Sequence, residues 1–175
     1  MSITTWLNFA ILQMAAESYL HGINFNDDET VIARLTAGNN APGFTPQNPG
    51  ATRFVDLAGI SNASEITGSA QAFAARYQII DHHANDATGF SATLMRDNQT
   101  GEYTLSFRST EFKNQVDGGD YERDGANGPF LTGADGEIVA KGFAFGQLAA
   151  MEDYFRDLKE GRAKKNGDIL HFLAA

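Results

Sequence analysis

The chain has no cysteine, so disulfides, thiolate metal sites and a thiol nucleophile are all excluded. It is also short of cations, with 13 Lys and Arg against 22 Asp and Glu and a net charge of −9. Nucleic-acid binding depends on clustered Lys and Arg that release counterions, so this balance argues against a nucleic-acid partner. The only basic cluster, Lys159, Arg162, Lys164 and Lys165, reads as the solvated end of a helix, where the macrodipole favours positive charge. No apolar run approaches the ~20 residues of a membrane span. Residues 6–19 are partly apolar, but no basic segment precedes them and Asn8, Gln13 and Glu17 interrupt them, so a cleaved export signal is not legible. There is no internal repeat and no low-complexity tract.

What is present suits a globular core. Apolar residues make up 42% of the 175, and 13 Phe and five Tyr supply bulk for packing. The length fits one domain with a helical extension, read as an N-terminal helical segment and loop over 1–52 and a main domain over 53–175.

A helical period runs through residues 3–20, with Ile3, Leu7, Ala10, Ile11, Met14, Ala15 and Tyr19 on one stripe, ended by His21-Gly22. A shorter helix is expected over 28–35, acidic at its start and followed by Gly38. Residues 38–52, rich in Gly, Pro and Asn, read as loop. Residues 53–75 carry no clear period beyond a helical turn near 70–75. A strand is expected over 77–81. Residues 90–96 alternate, with Phe90, Ala92 and Leu94 opposed to Ser91, Thr93 and Met95. Residues 102–109 alternate again, with Tyr103, Leu105 and Phe107 opposed to Thr104, Ser106 and Arg108. The polar turn 97–101 between them makes a β-hairpin. A long acidic loop is expected over 113–137. A helix follows, burying Ala144, Leu148, Met151, Phe155 and Leu158 and capped by Gly161. A last apolar piece spans 169–175.

Few residues offer chemistry. A serine hydrolase of the α/β type presents its nucleophile on a G-x-S-x-G elbow between strand and helix. The nearest approaches, Gly59-Ile60-Ser61-Asn62-Ala63 and Gly89-Phe90-Ser91-Ala92-Thr93, lack the second Gly, and Ser91 lies on a hairpin strand. His82-His83, between Asp81 and Asp86, invite a metal reading, but neighbours on a strand point to opposite faces and chelate one ion poorly. Asp117, Asp120 and Asp124 could serve calcium, an oxygen-seeking ion, or form an ordinary solvated loop. Phe107-Arg108-Ser109-Thr110-Glu111 delivers a hydroxyl residue at a strand's end, where open α/β sheets place ligands. The other reading of that stretch is a strand end with Arg108 in a salt bridge and Thr110 capping a turn.

Three stretches together resemble the class 3 lipase family, and more closely the secreted bacterial lipases with calcium-binding repeats near their C-terminus. These are Gly89-Phe90-Ser91-Ala92-Thr93-Leu94 with Thr100-Gly101-Glu102, then Phe107-Arg108-Ser109-Thr110, then Gly142-Phe143 opening a helix through Phe145-Gly146-Gln147-Leu148. The resemblance covers about half the chain, over residues 73–158, with Ser109 where the family has Gly.

It implies an incomplete α/β-hydrolase fold: N-terminal helices, then the first part of a mixed β-sheet with a packing helix. It also implies an acyl-serine lipase or esterase acting on carboxylic esters of lipids, secreted without a classical signal peptide and needing no cofactor. Thr110 would donate in the oxyanion hole, and Arg108 would hold the loop that places it. The elbow serine, acid and histidine would come later in family order, so this chain alone is expected to be inactive. The competing expectation is a non-catalytic binding or regulatory module, or one chain of a two-chain hydrolase, whose exposed sheet edge pairs with a partner chain or a missing C-terminal half.

Overall fold

The computed structural model describes residues 3–38, 63–108, 134–161, 164–165 and 168–169. They form a mixed α/β protein of helices, a three-stranded sheet and a separate two-stranded ribbon. The chain divides into two compact units, one of Met1–His82 with Ala92–Ser109, the other of His83–Ser91 with Thr110–Ala175.

In the first unit, helix α1 (Ile3–Glu17) contributes Leu12, Met14, Ala15 and Ala16 to the core. The expected stripe is corrected: Leu7 is 54% exposed and Ala10 is exposed, while Leu12 and Ala16 are buried. Among the described side chains of the helix, those that meet the core lie in its second half, so the buried face is set there. The helix also ends before His21-Gly22. The Ser18 hydroxyl donates to the Met14 carbonyl and the Ser18 N–H to the Ala15 carbonyl, closing the last turn. Tyr19 and Leu20 then run into the core without helical structure.

Helix α2 (Asp28–Ala37) begins where expected and runs two residues beyond the expected end at 35, up to Gly38. The Asp27 carboxylate accepts from the Thr30 N–H and, at 2.6 Å, from the Thr30 hydroxyl. Val31 and Leu35, four apart, face the core, and the N–H of Gly38, at φ 62°, donates to the Arg34 carbonyl. Helix α3 (Ala63–Arg76) is longer than the turn expected near 70–75. Among its described side chains Ala70 and Phe73 bury against the core.

Strand β1 (Tyr77–His83) follows α3 directly. Strands β2 (Ala92–Asp97) and β3 (Tyr103–Phe107) are the expected hairpin, antiparallel in a register from Ala92 opposite Phe107 to Arg96 opposite Tyr103. The sheet order is β1-β2-β3. The Asn98 N–H donates to the Arg76 carbonyl and His82 meets Thr93, so β1 runs antiparallel to β2. The Asp97 side chain organises the turn by accepting from the N–H groups of Gln99 and Thr100, and Gly101 closes it at φ 77°.

Burial departs from the simple two-faced expectation. Central β2 is buried from Ala92 to Met95 on both faces, hydroxyl residues included. In β3 the polarity is inverted: Ser106 and the adjoining Arg108 are buried while Tyr103 and Phe107 are each 42% exposed. Helix α1 packs along β3 and β2, and its Gln13 amide donates to the Phe107 carbonyl at 2.7 Å. The face toward α1 therefore carries the polar series.

The second unit contains the 83–91 loop, α4 (Ala134–Lys141), α5 (Phe145–Lys159) and a ribbon of β4 (Lys164–Lys165) and β5 (Asp168–Ile169). Helix α4 begins where loop was expected to continue to 137. Gly142, at φ 82°, turns the chain between the helices. Ala144 offers no capping side chain, and Glu137 takes over that role by accepting from the Gly146 N–H at 2.9 Å. The buried face of α5 is Tyr154 and Leu158; Leu148 and Phe155, expected inside, are 45% and 49% exposed. Lys164 and Lys165 belong to the ribbon, opposite Ile169 and Asp168, rather than to a helix end.

Candidate functional site

The end of β3 is built from three sides. Its register places Phe107 opposite Ala92, so the two hairpin stretches that carry the family resemblance lie side by side. The Phe107 carbonyl is held by Gln13, whose amide also donates to Glu17 within α1. Arg108 is buried to 9% exposure with its guanidinium carbon 4.2 Å from the centre of the Tyr19 ring. Arginine stacks on an aromatic face through its flat, weakly hydrated cation, and burial strengthens that attraction. The strand end is thus clamped by α1 and the segment after it. Thr110, like Ser109, lies outside the described residues, as do Ser61, His171 and the three acidic residues Asp117, Asp120 and Asp124.

The paired histidines diverge, as strand geometry requires. His82 Nδ1 lies 3.0 Å from the Thr93 hydroxyl, with its ring edge-on to Phe25. His83 Nε2 lies 3.3 Å from Asp86 Oδ2, and its ring sits 5.2 Å from Phe90 and 5.0 Å from Tyr154. Among the described residues no group of three or more His, Asp or Glu is placed to hold a metal ion.

Asp86 does more than meet His83. Its Oδ1 accepts from the Thr88 N–H at 2.7 Å, the Thr88 hydroxyl at 2.6 Å and the Phe90 N–H at 3.3 Å. Burial works to raise its pKa, but the bonds from Thr88, His83 and Phe90 outweigh burial and hold the carboxyl below the usual range. Ser91 is 2% exposed and spends its hydroxyl on the His83 carbonyl at 2.9 Å. That serine is a brace for the loop, with neither the exposure nor the imidazole contact of a nucleophile. The His83–Asp86 pair, Phe90 and Tyr154 make a compact aromatic and hydrogen-bonded cluster. Sequence reading found its first two members and missed Tyr154, whose place on α5 shows only once the buried face is known.

A polar cleft of 480 Å³ opens in the first unit where the start of α2, the end of α3 and β1 converge. Asn26, Asp28, Gln78 and Asn98 line it beside Phe25 and Tyr77. These residues are far apart in sequence, and no local pattern joins them. Asp28 is its only carboxylate among the described lining residues, which give the cleft polar hydrogen-bonding capacity. Comparison with protein-family models, curated proteins and solved structures finds no match to this chain.

Proposed function

We propose that this chain is the N-terminal part of a serine hydrolase of the lipase and esterase class, with the nucleophile elbow lying outside residues 1–175. The observation that carries the reading is the clamped end of β3. Arg108 over Tyr19 and the Gln13 bond to the Phe107 carbonyl fix the strand immediately before Ser109 and Thr110. An oxyanion donor must be preorganised, because a donor that has to be ordered during reaction loses much of its effect. In this reading Thr110 supplies that donor, Arg108 positions it, and the substrate is a carboxylic ester of a lipid. The ester is opened through an acyl-serine intermediate in the complete, secreted protein.

A second reading rests on a separate observation. Among the described residues strand β3 is last in the sheet order, with Tyr103 and Phe107 each 42% exposed, and a terminal strand is the element to which a partner's strand adds. On that reading the chain is a binding or regulatory module, or half of a two-chain hydrolase.

The intact mass of the protein from its natural source, with its C-terminal peptides sequenced, separates the two. Peptides that run on into a G-x-S-x-G are the outcome expected for the hydrolase. A natural chain ending at Ala175 would move the inquiry to a partner. Labelling of a serine within residues 1–175 by a fluorophosphonate would overturn both readings.

A further inference from the structure

The polar cleft of the first unit collects side chains from separate places in the chain. Asn26 comes from the loop before α2, Asp28 from the first turn of that helix, Gln78 from β1 and Asn98 from the hairpin turn. Each is carried on pinned backbone. The Asn26 N–H donates to Asn24 Oδ1, Asp27 caps the turn that holds Asp28, Gln78 lies in the sheet, and the Asn98 N–H donates to the Arg76 carbonyl. Among the described residues none of these four side chains is spent on a hydrogen bond or ion pair within the chain. Amides and a carboxylate therefore line a concavity of 480 Å³ with their donors and acceptors uncommitted.

We propose that this cleft binds a neutral saccharide, a pyranose ring either free or at the end of a chain. The lining chooses that class. A side-chain amide both donates and accepts, whereas a carboxylate only accepts. Groups of this mixed kind, brought together from several elements, match a ligand whose neighbouring groups each donate and accept, and ring hydroxyls do so. Small-ligand sites add apolar walls to a few fixed polar groups. Half-buried Phe25 and buried Val31 give the C–H faces of a sugar such a wall. Charge disfavours the ionic alternatives. An anion meets Asp28 and a net charge of −9. A cation finds the Asp28 charge already offset by the N–H groups of the first turn of α2. The inference stands apart from ester hydrolysis, since binding a sugar here requires no catalytic residue.

The side-chain amide resonances of Asn26, Gln78 and Asn98 report on the cleft directly. The isotope-labelled 175-residue chain is titrated with methyl β-glucopyranoside and with cellotriose. Saturable shifts at those amides are expected, with a Kd on the order of 1 mM for the single ring, the strength open to a small polar ligand. Tighter binding of cellotriose assigns the cleft to a chain end, and equal binding assigns it to one sugar unit. N26A/N98A weakens binding about fivefold or more, as does Q78A, since each removes hydrogen bonds to the ligand. Asn26 and Asn98 are exposed, so the double variant keeps its far-UV circular dichroism. Absence of saturable shifts, or unchanged affinity in both variants, would overturn the proposal. So would the same shifts from glycerol at equal hydroxyl concentration, from N-acetyl-alaninamide, which assigns the cleft to a peptide, or from calcium chloride, which assigns it to a cation.

Discussion

The Arg108 guanidinium carbon sits over the Tyr19 ring, 4.2 Å from its centre, with both residues buried. The pair ties the exit of β3 to the segment that follows α1. Replacing Arg108 with Ala removes the cation–π contact and leaves a void under Tyr19, a cost of about 2 kcal/mol. Lys lacks the planar face and recovers only part of it. Urea unfolding of both variants checks the order wild type, R108K, R108A. An R108A midpoint equal to wild type would show that the stack contributes nothing to the fold.

Acid should destabilise the chain through carboxylates held ionised in the folded state. Asp97 sits below its ordinary 3.8 because Arg76 donates to it, and the Gln99 and Thr100 N–H groups act in the same direction. Glu137 sits below 4.5 chiefly through the Gly146 N–H. Asp86 is lowered as well, with its hydrogen bonds prevailing over burial. A carboxyl whose folded pKa is depressed contributes stability above its unfolded pKa and loses it as pH falls through the folded value. The urea midpoint is therefore level down to about pH 5 and drops from about pH 4 downward. D97N, neutral throughout, shows a shallower drop. A D97N slope as steep as wild type would remove Asp97 from the account.

Much of the local structure was legible. Capping residues around α2 and turn residues at 97–101 act through their own backbone, so sequence alone places them. Which face of an element is buried depends on neighbours that the local pattern does not name. Alternation in β3 separates Tyr103, Leu105 and Phe107 from Thr104 and Ser106 but does not say which set meets α1. In α5 the 3.6 period suits Leu148 and Phe155 as well as Tyr154 and Leu158, and only the last two are buried. The His83 cluster was half visible for the same reason: His83 and Asp86 are three apart, whereas Tyr154 arrives from another helix.

The Asp86 loop tests how far that cluster is structural. D86A leaves the Thr88 and Phe90 N–H groups without their side-chain acceptor and removes the partner of His83. The side chain is 30% exposed and water replaces part of what is lost, so the expected cost is about 1–2 kcal/mol. Amide exchange at Thr88 and Phe90 should accelerate in step. Unchanged exchange there would mean that the backbone turn, with Gly89 donating to the Asp86 carbonyl, holds the loop unaided.

Gly142 opens the Gly-Phe stretch at φ 82°, and a Cβ there would meet nothing within 4 Å. The space is open, so Ala at this position isolates the backbone term: a left-handed conformation costs an L-residue about 1–2 kcal/mol. G142A is expected to lose that much stability, with the α4–α5 turn as the region affected. A neutral result would show that the turn relaxes to negative φ without loss, and that the glycine of this motif is dispensable to the fold.

The oxyanion assignment makes the sharpest demand. In a polypeptide that carries the elbow, T110V keeps the backbone N–H but removes the hydroxyl. If that hydroxyl donates to the developing oxyanion, kcat falls about 10²-fold or more while KM hardly moves, because the bond forms in the transition state rather than on binding. T110S restores most of the rate. R108A acts on the same step from a distance: with the strand end loosened, kcat drops by a smaller factor and a phosphonate transition-state mimic binds correspondingly less well. The pattern matters more than any single rate. A T110V enzyme with full kcat removes the hydroxyl from the mechanism, and an R108A enzyme with normal kcat but lowered stability confines the Tyr19 stack to folding.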